Sequence, residues 1–178
     1  MRYAALLGAA ALVLSGCGLR PLYGGGSAGP VQSTLAAVQV APIEGQSGWL
    51  VANALRDRLH TSDAAARYRL EVQLDDQIAG LGVRSDDSVA RERRTLRARY
   101  QLVDLSNGAV LLDATAGSDA GIDVVGSEYA TIAAERSALE RLSGIVADQI
   151  VARVARFAQP GTGAPAPAGA APAPAGAQ

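Results

Sequence analysis

The feature that most constrains the fold is a strict alternation of apolar and polar residues over Tyr68–Asp75. A period of two places successive side chains on opposite faces of an extended strand. We therefore predict a half-buried strand that begins at Tyr68 and continues towards Ile78. A second run of the same kind places Leu96, Ala98, Tyr100 and Leu102 on one face of another strand. Two strands with one apolar face each require a covering layer.

The first half of the chain supplies a further strand and a helix. Leu35–Ala41 is predicted to form a strand that ends before Pro42, because proline cannot continue a ladder of hydrogen bonds. Ser47 is a suitable N-cap for a helix over Gly48–His60. After the alternating run at Tyr68, Gly80–Ser88 is predicted to form a loop.

The second half supplies a hairpin and a long helix. Ser106-Asn107-Gly108 is a strong hairpin signal, so a strand is predicted over Ala109–Ala116, followed by a loop over Gly117–Gly126. Ser127 is a suitable cap for a helix over Glu128–Phe157. The apolar stripe of this helix consists of Ile132, Leu139, Leu142, Val146, Ile150, Val154 and Phe157.

The predicted order of elements is β-α-β-β-β-α. Hairpin connections make neighbouring strands antiparallel, and an apolar sheet face has to be covered by the amphipathic helices. We therefore predict an α+β fold. It is a two-layer sandwich in which a mostly antiparallel four-stranded sheet carries two helices on one face.

The N-terminus carries an apolar run, Ala4–Leu14, that is too short to span a bilayer. The sequence Leu14-Ser15-Gly16-Cys17 that ends it resembles the lipobox of bacterial lipoproteins. Cleavage before Cys17 would leave this residue as a lipid-bearing N-terminus, and Gly18 at the next position favours the outer membrane. The alternative is an ordinary secretory signal with an incidental cysteine.

These patterns divide the chain into four segments. Residues 1–16 are predicted as a lipoprotein signal peptide, and residues 17–34 as a lipidated anchor with a flexible linker. Residues 35–158 form the α+β domain. Residues 159–178 are almost entirely Pro, Ala and Gly, and a segment of this composition cannot bury enough apolar surface to offset its chain entropy. We predict that this tail is disordered.

Composition argues against several classes of function. The chain has 16 basic and 17 acidic residues, without the basic excess of nucleic-acid-binding proteins. It has one cysteine and one histidine, so an internal disulfide and a multi-histidine metal site are excluded, and no nucleophile–base arrangement is recognisable. No phosphate-binding glycine loop follows a strand. We predict that the protein is not an enzyme and uses no cofactor or metal.

The candidate binding residues are four arginines on one face of the second alternating strand: Arg91, Arg93, Arg97 and Arg99. A guanidinium group binds phosphate and carboxylate groups through paired hydrogen bonds, which makes this row a candidate contact for an anionic ligand. The alternative is a solvated face, with arginines paired to Glu71 and Asp75 of the preceding strand.

Two acids cannot neutralise this row, so a net positive strip is predicted to remain. Arg94 breaks the alternation and is predicted to lie near the start of the strand at the sheet edge. Trp49 and Tyr129 are predicted as core or rim residues.

The segment Cys17-Gly18-Leu19-Arg20-Pro21-Leu22-Tyr23-Gly24 resembles the start of mature proteins of the LptE family, which act in lipopolysaccharide assembly. Leu19 stands where an aromatic residue is usual in that family. The predicted order of elements over residues 35–157 is similar as well. The Pro/Ala tail lies outside this resemblance.

The resemblance implies an outer-membrane lipoprotein on the periplasmic face, held by lipid on Cys17, with lipopolysaccharide as a partner. It also implies a domain that plugs and stabilises an LptD-type outer-membrane β-barrel. No family motif places Arg91, Arg93, Arg97 and Arg99, so their assignment as candidate lipopolysaccharide contacts follows from the chemistry of the arginine row alone. Two alternatives remain open from the residues alone. One is an accessory lipoprotein of a lipid-trafficking ABC or MCE-type transport system, and the other is an envelope scaffold without a ligand.

Overall fold

A computed structural model of the chain describes residues 29–60, 66–83 and 89–159. The predicted signal peptide, Cys17, the Arg84–Ser88 segment and the Pro/Ala tail lie outside these described residues. The elements in chain order are α1 (Pro30–Ala36), β1 (Val38–Val40), α2 (Gly45–Leu59), β2 (Tyr68–Val83), β3 (Val89–Asp104), β4 (Val110–Asp123) and α3 (Glu128–Phe157).

The four strands form one mixed sheet in the order β1-β2-β3-β4. β1 pairs in parallel with β2 over three residues, and β2, β3 and β4 form an antiparallel meander. The parallel pair follows from α2, because a helix that crosses back over the sheet returns the chain to run in the same direction. The helices cover one face of the sheet, which confirms the predicted α+β two-layer sandwich.

The apolar face of the sheet agrees with the alternation in the sequence. The predicted inward residues of β3 are all buried: Leu96, Ala98, Tyr100 and Leu102. In β2 the first two inward residues, Tyr68 and Leu70, are buried, while Val72 and Leu74 pack against the core from its margin. Burial therefore weakens along β2 towards the far end of the long β2–β3 hairpin.

Two segments predicted as loops are strands in part, over Gly80–Val83 and Gly117–Asp123. β2 continues through Gly80 and Gly82, and β4 continues beyond Ala116 to Asp123. The reason is non-local, because β3 lies between both strands and pairs with them over nearly its whole length. At one of these positions a larger residue would be crowded. A Cβ atom at Gly117 would lie only 2.8 Å from Cδ of Arg97 and 3.1 Å from the Leu96 carbonyl oxygen.

The predicted strand Leu35–Ala41 is shorter than expected, and the residues before it, predicted as part of a flexible linker, are helical. Pro30–Ala36 forms α1, and only Val38–Val40 is extended. Pro30 favours a helix at this point because it occupies the first turn, where its missing N–H is not needed. Val31 and Leu35 are four residues apart and both buried, so they lie on one face of the helix. The helical layer consequently contains three helices rather than two.

The start of α2 also differs from its prediction. The helix begins at Gly45, its N-cap is Glu44, and no side chain caps it, so Ser47 is not the cap. Gly48 lies so close to the Ile43 carbonyl group that a Cβ atom there would be 2.6 Å from its oxygen. His60 ends the helix in the left-handed conformation, with φ of 50°.

The long helix α3 has the predicted bounds, Glu128–Phe157. The Ser127 hydroxyl accepts a hydrogen bond from the Ala130 amide at 3.4 Å, which confirms the predicted cap. Five members of its predicted apolar stripe are fully buried: Leu139, Leu142, Val146, Ile150 and Val154. Ile132 is exposed and Phe157 is only partly buried, because a helix of 30 residues, about 45 Å long, extends beyond the core at both ends.

Candidate functional site

The uncovered face of the sheet carries the arginine row. Arg91, Arg93, Arg97 and Arg99 all lie on the solvent side of β3, the central strand of the antiparallel part. Their direct neighbours on β2 are Leu81, Ala79, Asp75 and Gln73, and those on β4 are Asp123, Gly121, Gly117 and Thr115. The structure thus brings the predicted residues together on one polar surface.

Most of these arginines are paired, and their partners come from β4. Nε of Arg91 lies 2.9 Å from an Asp123 oxygen, and Nε of Arg93 lies 3.9 Å from an Asp119 oxygen. Asp113 accepts two hydrogen bonds from Arg99, at 3.3 and 2.9 Å, and a third from Gln101.

The hydrogen bonds between Arg99 and Asp113 shift the pKa values of both groups. The hydrogen bond to Asp113 is the main cause of the raised pKa of Arg99. The hydrogen bonds from Arg99 and then Gln101 lower the pKa of Asp113. Both shifts favour the charged forms of the pair.

The expected pairing with β2 does not form. Glu71 binds Arg69 of its own strand at 2.6 Å, and Asp75 accepts hydrogen bonds from Gln77 at 3.0 and 3.2 Å. Among the described residues the charges on this sheet face are in balance: five arginines (Arg69, Arg91, Arg93, Arg97, Arg99) against five carboxylates (Glu71, Asp75, Asp113, Asp119, Asp123). The predicted net positive strip is therefore wrong, because β4 extends far enough to contribute Asp119 and Asp123.

Arg97 differs from the rest of the row. Within the part of the chain that the structure describes, it forms no ion pair, although Asp75 is its direct neighbour on β2. Its aliphatic stem lies over Gly117. Arg97 and Arg99 line an open cavity of about 520 Å³ together with Asp75 and Thr115. The unpaired cation of this face therefore stands beside a space that a ligand group could enter.

Arg94 faces the helices, contrary to the prediction of a sheet-edge position. It lies on the central strand and donates hydrogen bonds to both oxygens of Asp76, at 2.9 and 2.7 Å. A third bond, at 3.1 Å, reaches the backbone carbonyl of Glu135 in α3. The hydrogen bond to Asp76 is the main cause of the raised pKa of Arg94. This residue joins β2, β3 and α3, and its role is structural.

A second polar site, which sequence reasoning missed, lies between β4 and the C-terminal half of α3. Tyr100, Ala114, Thr115 and Gln149 line an open cleft of about 580 Å³, together with Ala152 and two exposed arginines, Arg153 and Arg156. None of the carboxylates in the described ranges lines this cleft. The sequence contains one hint of this site, because neither arginine has an acidic residue three or four positions before it that could form an ion pair along the helix. That both arginines lie beside Tyr100 follows only from the fold.

Gln149 fixes the position of α3 relative to the free edge of β4. Its Oε1 atom accepts a hydrogen bond from the Gly117 amide at 3.0 Å, and its Nε2 atom donates one to the Gly117 carbonyl at 3.3 Å. Nearby, Arg58 of α2 binds both oxygens of Asp148. The helix next to the cleft is therefore held by contacts to the sheet and to α2.

The two aromatic residues singled out by sequence are on the surface. Trp49 is 63% exposed and Tyr129 is 84% exposed, so neither contributes to the core.

The described residues contain no group of three or more side chains suited to hold a metal ion. None of the helices in the described ranges is both long and apolar enough to cross a membrane.

The sequence and the fold are both similar to known lipoproteins. A putative lipoprotein from Caulobacter crescentus CB15 superposes with a TM-score of 0.61 at 27% identity, covering 72% of this chain and 95% of that one. An uncharacterized lipoprotein B from Nitrosomonas europaea superposes with a TM-score of 0.51 at 15% identity, covering 68% and 87%, and shows the fold alone. No curated protein matches the chain.

The family model described as LptE, lipopolysaccharide-assembly, matches residues 35–154. This range begins at the end of α1 and stops within the last turns of α3, so it contains the whole sheet and most of the helical layer. The chain therefore belongs to the LptE family of lipopolysaccharide-assembly proteins.

Proposed function

We propose that this protein is an outer-membrane lipoprotein that plugs and stabilises an LptD-type β-barrel and assists lipopolysaccharide assembly, without catalysing a reaction. The observation that carries the proposal is the family match over residues 35–154, which covers the folded domain. In this proposal residues 1–16 are removed as a signal peptide, and lipid on Cys17 holds the chain at the periplasmic face.

The surface chemistry of the domain supports a position inside a hydrated barrel. The open sheet face carries balanced charge, and most of its arginines are paired with aspartates of β4. The interior of outer-membrane barrels is polar, so a face of this kind would remain solvated or form hydrogen bonds there. Trp49 and Tyr129 are exposed and would supply aromatic contacts, which are enriched in protein interfaces.

The experiment that tests this role is affinity capture of the tagged, full-length protein from detergent-solubilised outer membranes. A co-purifying β-barrel at one-to-one stoichiometry, identified by mass spectrometry, is the expected result. A Trp49→Ala/Tyr129→Ala double variant tests whether the exposed aromatics contact the barrel, and it is expected to recover less of it. Capture of transporter subunits would support an accessory role in lipid trafficking instead, and capture of no partner would contradict both roles.

The anchor has its own test. Cys17→Ala is expected to abolish palmitate labelling and to release the protein from the outer-membrane fraction, because a lipid-bearing cysteine is the proposed attachment point. Cys17→Ser keeps the size of the side chain and serves as a second variant with the same expected loss. Continued labelling of either variant would contradict lipid attachment at Cys17.

Arg91, Arg93, Arg97 and Arg99 are proposed as lipopolysaccharide contacts, with Arg97 as the central one because it has no ion pair in the described part of the chain. Arg93→Glu/Arg97→Glu is expected to weaken binding to lipid A while the fold is retained. Arg136→Glu/Arg141→Glu makes the same change of charge on exposed positions of α3 and is the matched control. Equal lipid A affinity for the two double variants would contradict the assignment.

A further inference from the structure

The cleft between β4 and α3 is lined by two arginines and by no carboxylate of the described residues. Arg153 and Arg156 are exposed on its rim, and neither forms an ion pair within the described residues. The only hydrogen bond of either guanidinium there is from Nε of Arg156 to the Ala152 carbonyl, at 3.4 Å. The remaining N–H groups of both arginines are therefore available to a ligand.

Tyr100 provides an independent observation. The residue as a whole is 2% exposed. Its hydroxyl has no protein hydrogen-bond partner within the described residues, but it is not one of the fully buried polar atoms there, so it retains contact with solvent. Burial is the main cause of the raised pKa of this hydroxyl, and Arg153 and Arg156 act in the opposite direction. Tyr100 lines the cleft together with both arginines, so its hydroxyl can donate a hydrogen bond there to water or to a ligand.

Helix electrostatics explains only part of this arrangement. Arg156 lies in the last turn of α3, where a positive charge interacts favourably with the helix dipole. That interaction does not account for a second cation three residues earlier, because like charges at this spacing repel each other. A bound anion would accept hydrogen bonds from both guanidinium groups and from the Tyr100 hydroxyl.

We propose that Tyr100, Arg153 and Arg156 form a binding site for a terminal phosphate group, the phosphate of a monoester. Two guanidinium groups and one hydroxyl place several hydrogen-bond donors around one cleft, which matches a group with three terminal oxygens. The adjoining hydrogen bonds of Gln149 to Gly117 fix the helix against the sheet and so preset the width of the cleft. This chemistry does not depend on the barrel role proposed above.

The site adjoins the cavity beside Arg97 and Arg99, with which it shares Thr115 and Gln149, but its own arginines are different. Tyr100 belongs to the helix-facing side of β3, whereas Arg97 and Arg99 belong to the opposite side. The cleft is also lined by no carboxylate of the described residues, whereas the arginine row is paired with aspartates. A ligand at the cleft would therefore not compete with internal ion pairs.

The test uses the full-length chain in a non-ionic detergent and measures binding by calorimetry and by the arginine Nε–H signals in NMR spectra. Inorganic phosphate probes a soluble ligand, and bicelles with phosphatidic acid, compared with phosphatidylcholine alone, probe a lipid-borne phosphate monoester. Saturable binding of at least one of these probes is expected. Binding of both assigns the site to the phosphate group itself, and binding of only one identifies its source. Absence of saturable binding to both would overturn the proposal.

Variants then locate the binding. Arg153→Gln/Arg156→Gln is expected to weaken it by about tenfold or more, because charge-assisted hydrogen bonds are lost. Tyr100→Phe keeps the ring and removes a hydroxyl without a protein partner, so it should fold normally and weaken binding by about threefold to tenfold. Arg136→Gln/Arg141→Gln, on an exposed part of the same helix, is the control and should leave the affinity within about twofold.

Each variant result decides a separate part of the proposal. Unchanged affinity in Arg153→Gln/Arg156→Gln, with the control equally unchanged, would overturn the site. Unchanged affinity in Tyr100→Phe would remove the hydroxyl from it. If the double arginine variant does not fold, the single variant Arg153→Gln replaces it with the same readout. Arg153 is exposed and unpaired within the described residues, so its replacement should not destabilise the fold.

Discussion

The ion pair between Arg94 and Asp76 offers the sharpest test of how the sheet is joined to the helices. Their side chains are 13% and 19% exposed, and Arg94 also binds the Glu135 carbonyl of α3. Replacing Asp76 by Asn removes the negative charge and leaves the guanidinium nearly enclosed. Removing one partner of a fully buried pair costs about 3–5 kcal/mol, and an exposed pair contributes about 0–1 kcal/mol.

The Arg94–Asp76 pair lies between these limits, because both groups retain some contact with water. We therefore expect Asp76→Asn to lower the free energy of unfolding by about 2 kcal/mol. For a domain of this size such a loss corresponds to a fall in Tm of about 6–10 °C. The assay is urea denaturation followed by circular dichroism, with the slope of the transition checked for constancy.

Two further variants distinguish this explanation from a general effect of mutation. Asp123→Asn removes a carboxylate from the exposed Arg91–Asp123 pair and should produce no measurable change, because water solvates both groups. Arg94→Met/Asp76→Leu removes both partners and should regain part of the stability that Asp76→Asn loses, since no buried charge is left unpaired. Equal stability of Asp76→Asn and Asp123→Asn would refute the reasoning.

The remaining predictions concern a close contact, a helix cap and a titrating group. Gly48→Ala should be strongly destabilising, because its Cβ atom would lie 2.6 Å from the Ile43 carbonyl oxygen, and a loss of the cooperative thermal transition or a clear fall in Tm would show this. Ser127→Ala should cost about 1 kcal/mol in urea denaturation, whereas Ser127→Asp should restore the cap. The Ser106 hydroxyl and amide lower the pKa of Asp104. Its contribution is therefore present above about pH 4 and lost as the pH falls through the lower folded-state value, so Asp104→Asn should flatten the acid loss of stability.

Local patterns predicted the elements whose burial follows a simple period. The alternation at Leu96–Leu102 correctly gave the buried face of β3, and Ser127 with the stripe from Leu139 to Val154 correctly gave α3. Both predictions succeeded because each element packs one regular face against the core. The turn at Ser106-Asn107-Gly108 was also predicted from local sequence, and Gly108 there has a φ of 72°, which glycine adopts without strain.

Predictions failed where distant pairing decided the structure. Gly117–Asp123 contains glycines and polar residues that favour a loop, but β3 offers a hydrogen-bonding partner along this stretch. Missing that extension also led to the wrong charge balance on the sheet face, since Asp119 and Asp123 then had no place in it. The cleft at Tyr100 was out of reach for the same reason, because α3 and β3 approach each other only in the folded chain.

The hydrogen bonds between Gln149 and Gly117 also affect how this protein meets other sheets. β4 is an edge strand of 14 residues, and the outward backbone groups of such an edge can template the addition of a strand from another molecule. Gln149 occupies both the amide and the carbonyl of Gly117, in the middle of that edge. An incoming strand would have to displace this side chain or stop at Gly117, so the helix protects the sheet against continuous edge-to-edge aggregation.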